Sequence, residues 1–466
     1  MPRNRAGSNP PSTAPDQRPT SGPRRQRPPA VDRLAKDMPA AIPARVRVEL
    51  ARGAIHTWRT LADDDHSARP ELAEIVDDAV GRWQRSLVGE VINGTGVLLH
   101  TNLGRAPQAA SISPGYSNIE LDTLSGERGE RAPAIAELLR VLTNTPDACL
   151  VNNGAAAIFL ALAAHAQGAR VIVSRGELVE IGGGFRIPEI LAMANCDLVE
   201  VGTTNKTRLA DYEKALAESG EAERPAHILK VHPSNYRMSG FTGSVPIGDL
   251  RRLIDATAAT HPKPLLIVDQ GTGLLDNQCP WLEGAPPAWI GTELGVAQMF
   301  DAGADLICYS ADKLLGGPQA GIVAGATELV QRCRRHPMMR TFRTGAAITR
   351  DVQQILMAYA DGRGQDIPLW HMASIPVERL WERAERICQL SGHGEAALVS
   401  GRIGGGTLPE TDIPSAGIKL RPEVVGPLRA GRTPIIARTA LGCAWIDLRT
   451  VRSDQDQEII DTLRAL

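Results

Sequence analysis

Lysine is scarce in this chain of 466 residues. Only seven of its 51 basic residues are lysine, at positions 36, 206, 214, 230, 263, 313 and 419. Any chemistry that needs a primary amine therefore has few candidates. Cysteine is scattered over seven positions with no Cys-x-x-Cys pair, which argues against a zinc cluster and a disulfide framework. No bound metal is expected, and a reducing cytosol is the expected compartment. No apolar run approaches the roughly 20 residues of a membrane span. The longest, Ala155 to Ala166, ends around His165, so no membrane partner is expected. The N-terminus is rich in arginine and proline and has no apolar stretch behind it, unlike a signal peptide. Net charge is only −2, and hydrophobic residues reach 43%, enough to bury a substantial core.

Texture divides the chain. Residues 1–30 hold six arginines and one aspartate among proline and serine, and are expected to be a disordered basic tail. Over 31–90 the spacing predicts helices: Val31, Leu34, Ala35 and Met38 recur at helical intervals, and Leu72 to Trp83 reads as another helix. From Val91 to about Gly364, apolar runs at 171–173, 228–231, 265–268 and 306–309 alternate with helical stretches such as 209–218 and 248–260. Such alternation predicts an α/β domain with a mostly parallel sheet, whose ligands sit beyond the carboxyl ends of the strands. Residues 365–466 mix a helix at 377–390 with strands at 435–437 and 444–448, a small α+β domain.

The densest chemistry lies in Tyr309-Ser310-Ala311-Asp312-Lys313-Leu314-Leu315-Gly316-Gly317-Pro318. A lysine just past a strand can be desolvated, which frees its amine for Schiff-base chemistry. Ser310 offers a hydroxyl to a phosphate. Gly316 and Gly317 would let the backbone pass close to a bulky planar ligand. The plain alternative is a surface lysine on a turn. Asp269 follows the apolar run 265–268, where a carboxylate could keep a pyridine nitrogen protonated, as pyridoxal phosphate enzymes require; it could equally cap a helix or bind a metal. Asn153, Gly154 and Ala155 open an apolar helix, whose free N–H groups suit a phosphate, although asparagine is also an ordinary helix cap.

The order of phosphate loop, aspartate and Ser-x-x-Lys resembles that of aspartate-aminotransferase-like (fold type I) pyridoxal phosphate enzymes. More specifically, 91–105 (Val-Ile-Asn-Gly-Thr-Gly-Val-Leu-Leu-His-Thr-Asn-Leu-Gly-Arg), 174–183, 201–207, 230–236 and the Lys313 segment resemble bacterial selenocysteine synthase, the L-seryl-tRNA(Sec) selenium transferase family. The resemblance runs from about Val31 to the C-terminus and is densest over 91–325. It implies conversion of seryl-tRNA(Sec) to selenocysteinyl-tRNA(Sec) by selenophosphate, through an aminoacrylate on the cofactor. It also implies that Lys313 carries pyridoxal 5'-phosphate, and that Arg105, Arg340 and Arg343 grip the donor phosphate. Planar guanidinium forks suit that task. Arg340 and Arg343, three apart, would share a face if helical; that face could also be merely solvated. By the same resemblance the helices of 31–90 dock tRNA, and the enzyme is a homo-oligomer, a ring of dimers.

Three departures stand out. The stretch 106–118 is shorter than usual in the family, Gln270 replaces an apolar residue, and Gly345-Ala346-Ala347 stands where a basic residue is usual. Two other readings stay open: a related pyridoxal phosphate lyase or transferase acting on a small amino acid, and a non-catalytic tRNA-binding paralogue. The first needs no docking domain, and the second needs neither Lys313 nor Asp269.

Overall fold

The computed structural model describes residues 28–63, 70–108, 116–182, 184–221, 225–257, 263–404, 406–409 and 411–466. The basic tail expected over 1–30 lies outside the described residues up to residue 27, as do 109–115 of the short stretch 106–118. The chain divides into two compact units, Met1–Glu90 and Val91–Leu466.

In the first unit three helices, Val31–Asp37, Ala44–Asp63 and Leu72–Ser86, bury one apolar cluster. Ala51, Ala54, Ile55 and Trp58 recur at three- and four-residue intervals, so one stripe of the middle helix faces inward. The third helix starts where Glu74 accepts the backbone N–H of Glu71 at 3.1 Å. On the middle helix Arg45, Arg52 and Arg59 are exposed. Their seven-residue spacing is close to two turns, so they form one line along it.

The second unit is built on a seven-stranded sheet. From one edge its order is Asp147–Val151, Gly321–Gly325, Leu306–Ser310, Leu266–Gly271, Ala226–Val231, Arg170–Ser174 and Asp197–Val201. Gly321–Gly325 runs antiparallel to both neighbours, and the remaining pairs are parallel. Ile172, Val268 and Ile307 feed one core cluster, while Val173, Ile267 and Cys308 feed another on the opposite face. Both faces are covered, which is why these strands read as unbroken apolar runs. The helix Gly154–His165 is apolar almost all round and correspondingly buried.

A second sheet runs Ile92–Gly94, Ile435–Ala440, Cys443–Asp447, Asp412–Leu420 and Glu395–Arg402. The division at 364/365 expected from sequence does not match this sheet. Ile92, Asn93 and Gly94 pair in parallel with Ile435, Ile436 and Ala437. Ile92 joins Ile418 and Ile446 in the core beneath, and Thr450 Oγ1 donates to the Asn93 carbonyl at 2.6 Å. Among the described residues no helix is long and apolar enough to cross a membrane, and no group of His, Cys, Asp or Glu could hold a metal.

Candidate active site

The expected cofactor residues converge beyond the carboxyl ends of the central strands. Lys313 lies in the turn after Leu306–Ser310. That turn is clamped by three hydrogen bonds: Leu314 N–H to the Thr272 carbonyl, Gly316 N–H to the Lys313 carbonyl and Ala311 N–H to the Ala320 carbonyl, each 2.8 Å. The bond to Thr272 ties the lysine turn to the segment that carries Asp269. Lys313 is 5% exposed. Burial lowers its pKa and Arg105 adds to this, while Asp269, Asp312 and Glu293 oppose it. The amine is thus biased toward the neutral, nucleophilic form.

Asp269 sits where the register with Leu306–Ser310 slips between Asp269 and Gly271. Gly271 has φ +70°, a left-handed backbone that favours glycine. This bulge re-aims the strand end beside the site. The Asp269 carboxylate is 8% exposed and accepts no hydrogen bond among the described residues. Burial pushes its pKa up to about 6, against the pull of Lys313 and His232. Gln270 is fully buried but satisfied. Its amide donates to Thr272 Oγ1 at 2.5 Å and its oxygen accepts the Gly273 N–H at 2.7 Å.

At the start of Gly154–His165, Asn153 caps the helix. Its Oδ1 accepts the Ala156 N–H at 2.8 Å, and its carbonyl accepts the Ala157 N–H at 3.1 Å. The N–H groups of Gly154 and Ala155 reach no acceptor among the described residues. A Cβ on Gly154 would lie 2.3 Å from Ser310 Oγ, so a larger residue there would have to turn that hydroxyl away. Two free N–H groups therefore face the same space as a hydroxyl.

These groups, with Arg105, line a cavity of about 230 Å³. Its donor set fits pyridoxal phosphate. A buried carboxylate lacking a donor suits the ring nitrogen, the free N–H groups and Ser310 suit the phosphate, and a desolvated amine suits the aldehyde.

Not every expected residue lies on this cavity. Arg105 does, with Nη1 bonded to Asp312 Oδ2 at 2.9 Å. Arg340 and Arg343 do not line it in the single chain, and they do not share a helix face. The helix Met338–Thr341 ends before Arg343. Arg340 is exposed in its last turn, while Arg343 pairs with Glu120 at 3.1 Å, a carboxylate that also holds Arg128 and Arg131. The Phe342 carbonyl nevertheless accepts the Asn152 N–H at 2.9 Å, which ties this segment to the loop before the helix Gly154–His165. Gly316 and Gly317 are also off the cavity. Their missing side chains make room for protein: a Cβ on Gly316 would meet Ile367 at 2.7 Å, and one on Gly317 would meet the Ala311 carbonyl at 3.1 Å. Gly345 becomes the residue before the helix Ala346–Ala360.

Sequence reasoning assigned no role to His232 or Glu293. His232 follows Ala226–Val231, lines the cavity, and its Nε2 lies 2.9 and 3.0 Å from the two Glu293 oxygens. A histidine directly after an apolar strand was a usable signal. Glu293, 61 positions away, carried none.

Residues 91–452 match the family described as L-seryl-tRNA selenium transferase. The L-seryl-tRNA(Sec) selenium transferase of Desulfotalea psychrophila is 39% identical over 387 residues, covering 78% of this chain and 79% of that protein. Its counterpart in Moorella thermoacetica is 37% identical, with 89% and 90% covered, and that of Serratia proteamaculans is 36% identical, with 94% and 97% covered. Among solved structures, D-glucosaminate-6-phosphate ammonia-lyase superposes with a TM-score of 0.53 at 19% identity, over 82% of this chain and 97% of that one. The architecture is the aspartate-aminotransferase-like, fold type I arrangement that the order of motifs implied. By its sequence over most of its length, this chain belongs to the L-seryl-tRNA selenium transferase family.

Proposed function

We propose that the Lys313 cavity carries out the conversion of L-seryl-tRNA(Sec) to L-selenocysteinyl-tRNA(Sec), with selenophosphate as donor. The observation that carries this reading is the meeting of Lys313, Asp269, Ser310 and the free N–H groups of Gly154 and Ala155 on one cavity, in a chain of this family. Bound there, pyridoxal phosphate supplies a protonated ring that accepts the electron pair left when the seryl Cα loses its proton. Asp269 keeps that ring nitrogen protonated. Ser310 and the two N–H groups hold the phosphate, and Asn153 fixes the helix end that presents them. Lys313 anchors the cofactor, and its amine, biased toward neutrality by burial, takes the Cα proton. Arg105 holds the phosphate of the selenium donor through charge-assisted hydrogen bonds, and Arg340 and Arg343, which lie off this cavity in the single chain, join it in the homo-oligomer. The net change replaces the seryl hydroxyl with selenium, and phosphate departs from the donor.

The unit Met1–Glu90 docks the tRNA, with Arg45, Arg52 and Arg59 meeting backbone phosphates along one line of helix. The family resemblance supports action as a homo-oligomer in the cytoplasm. The test is turnover by the purified, cofactor-loaded protein. Seryl-tRNA(Sec) with selenophosphate should yield selenocysteinyl-tRNA(Sec), and seryl-tRNA(Ser) should not. Turnover of free serine or another small amino acid, with no product on tRNA, would replace this reading with a small-molecule lyase.

A further inference from the structure

The conversion breaks two bonds of the seryl group. Lys313 takes the proton from Cα, and the bond from Cβ to the hydroxyl oxygen breaks next. A hydroxyl departs far more readily as water than as hydroxide, so a group beside Cβ has to give it a proton. Among the described residues, few side chains on the Lys313 cavity can do so. Asp269 serves the ring nitrogen, Ser310 serves the phosphate, and a guanidinium such as that of Arg105 does not release its proton. Lys313 keeps the Cα proton for its return to Cα. His232 also lines this cavity, and imidazole is the side chain that gives and takes protons near neutral pH.

His232 is held in place for such a task. Its backbone N–H donates to the Asp269 carbonyl at 2.8 Å, and its carbonyl accepts the Ser234 N–H at 2.7 Å, so the residue is pinned beside the end of the strand Leu266–Gly271. Nε2 lies 2.9 and 3.0 Å from the two Glu293 oxygens. Glu293 is itself buried, and its own N–H donates to the Ile290 carbonyl at 3.1 Å. It lines a neighbouring cavity of about 620 Å³ but not the Lys313 cavity, so it reaches the reaction through His232. With Nε2 occupied, Nδ1 is the nitrogen left, and it makes no hydrogen bond among the described residues. A carboxylate on one ring nitrogen fixes the orientation of the imidazole and stabilises the imidazolium, whose other nitrogen then carries a proton to give.

Resting on the reading of the Lys313 cavity as the site that converts seryl-tRNA(Sec), we propose that His232 is the general acid that protonates the departing seryl hydroxyl, and that Glu293 is the positioning residue that holds its imidazole. The electron pair left at Cα forms the double bond to Cβ as the bond from Cβ to oxygen breaks. The hydroxyl oxygen takes the Nδ1 proton and leaves as water. Neutral His232 keeps its Nε2 proton on Glu293 and regains the other from solvent.

The test uses the full chain and its His232→Gln, Glu293→Gln and doubly substituted variants. Glutamine at 232 keeps a polar side chain but has no proton to give. At saturating cofactor, His232→Gln should lower kcat for seryl-tRNA(Sec) by about 10²- to 10⁴-fold, the range of general acid catalysis, while KM changes far less. The same variant should convert β-chloroalanyl-tRNA(Sec) at close to the wild-type rate, because chloride leaves without a proton. In D2O without selenophosphate it should still place deuterium at the seryl Cα, because Lys313 is untouched. Glu293→Gln should lose less, and the double variant should be no slower than His232→Gln, since Glu293 acts through His232. Pyridoxal phosphate titrated into cofactor-stripped protein, followed by absorbance, should bind His232→Gln nearly as tightly as the wild type, which shows that the variant is folded. If His232→Gln keeps the wild-type kcat, loses the seryl and chloroalanyl substrates equally, or is repaired by excess cofactor alone, His232 is not the acid, and the reading of the Lys313 cavity survives. If the wild type binds cofactor but gives no product on tRNA, both fall together.

Discussion

Replacing Asp269 with asparagine should expose the cost of burying that carboxylate. Its folded-state pKa stands at about 6, against an ordinary value of about 3.9 in an unfolded chain. Two units at about 1.4 kcal/mol each come to roughly 3 kcal/mol. The folded group binds its proton more tightly than the unfolded one. Its contribution to stability is therefore fully present below about pH 4 and lost as pH rises through about 6. About half of that loss, roughly 1.5 kcal/mol, falls between pH 5 and pH 8. Unfolding entropy near 2.1 cal/mol/K per residue converts this, over the unit Val91–Leu466, to about 2 °C. Thermal unfolding of cofactor-stripped protein, followed by near-UV circular dichroism at the two pH values, measures it. Asp269→Asn should gain about 2 °C on the wild type in going from pH 5 to pH 8. Adding pyridoxal phosphate should erase the wild-type slope, because a ring cation then faces the carboxylate. The variant should bind the cofactor more weakly. A Tm difference that is flat with pH, or that moves in favour of the wild type as pH rises, would refute the argument.

Gly154→Ala pushes a methyl onto Ser310 Oγ. It should weaken cofactor binding by about tenfold or more, one charge-assisted hydrogen bond, in an absorbance titration; an unchanged affinity would remove Ser310 and the helix start from the phosphate site. Arg340→Ala and Arg343→Ala should each raise the KM for selenophosphate roughly 10- to 150-fold while the cofactor spectrum stays intact, and unchanged donor dependence would return both to the solvated surface. Deleting 1–90 should leave a folded, cofactor-binding Val91–Leu466 unit, since the two units have separate cores, but should abolish or greatly weaken tRNA(Sec) binding; full affinity in that truncation would overturn the docking role. Removing only 1–30, with its net charge of +5, should flatten the salt dependence of tRNA affinity and keep discrimination between tRNA(Sec) and tRNA(Ser), as filter binding across a salt series would show.

Much of this protein is legible in its sequence because the relevant forces are local. The apolar runs at 171–173, 228–231, 265–268 and 306–309 became buried strands because a sheet covered on both sides leaves no alternation to obscure them. Lys313 and Asp269 could be picked out because each stands just past or at the end of such a run, where an α/β sheet exposes its ligand edge, and Asn153 because it opens an apolar helix. Other features depended on partners far away in the chain. Ile92–Gly94 reads as the start of the large domain, but its backbone groups find their partners at 435–437. Gly316 and Gly317 suggest a ligand passing close by, yet it is Ile367 and the Ala311 carbonyl that need the space. Arg340 and Arg343 have helical spacing, but the helix stops at Thr341 and Glu120 holds the second arginine. His232 was visible and Glu293 was not, and only the packed fold brings them within hydrogen-bonding distance. Periodicity and turn chemistry are set by neighbours a few positions apart, and a sequence records those directly. Pairings between distant segments, and the burial that shifts the pKa values of Asp269 and Lys313, exist only once the chain has closed on itself.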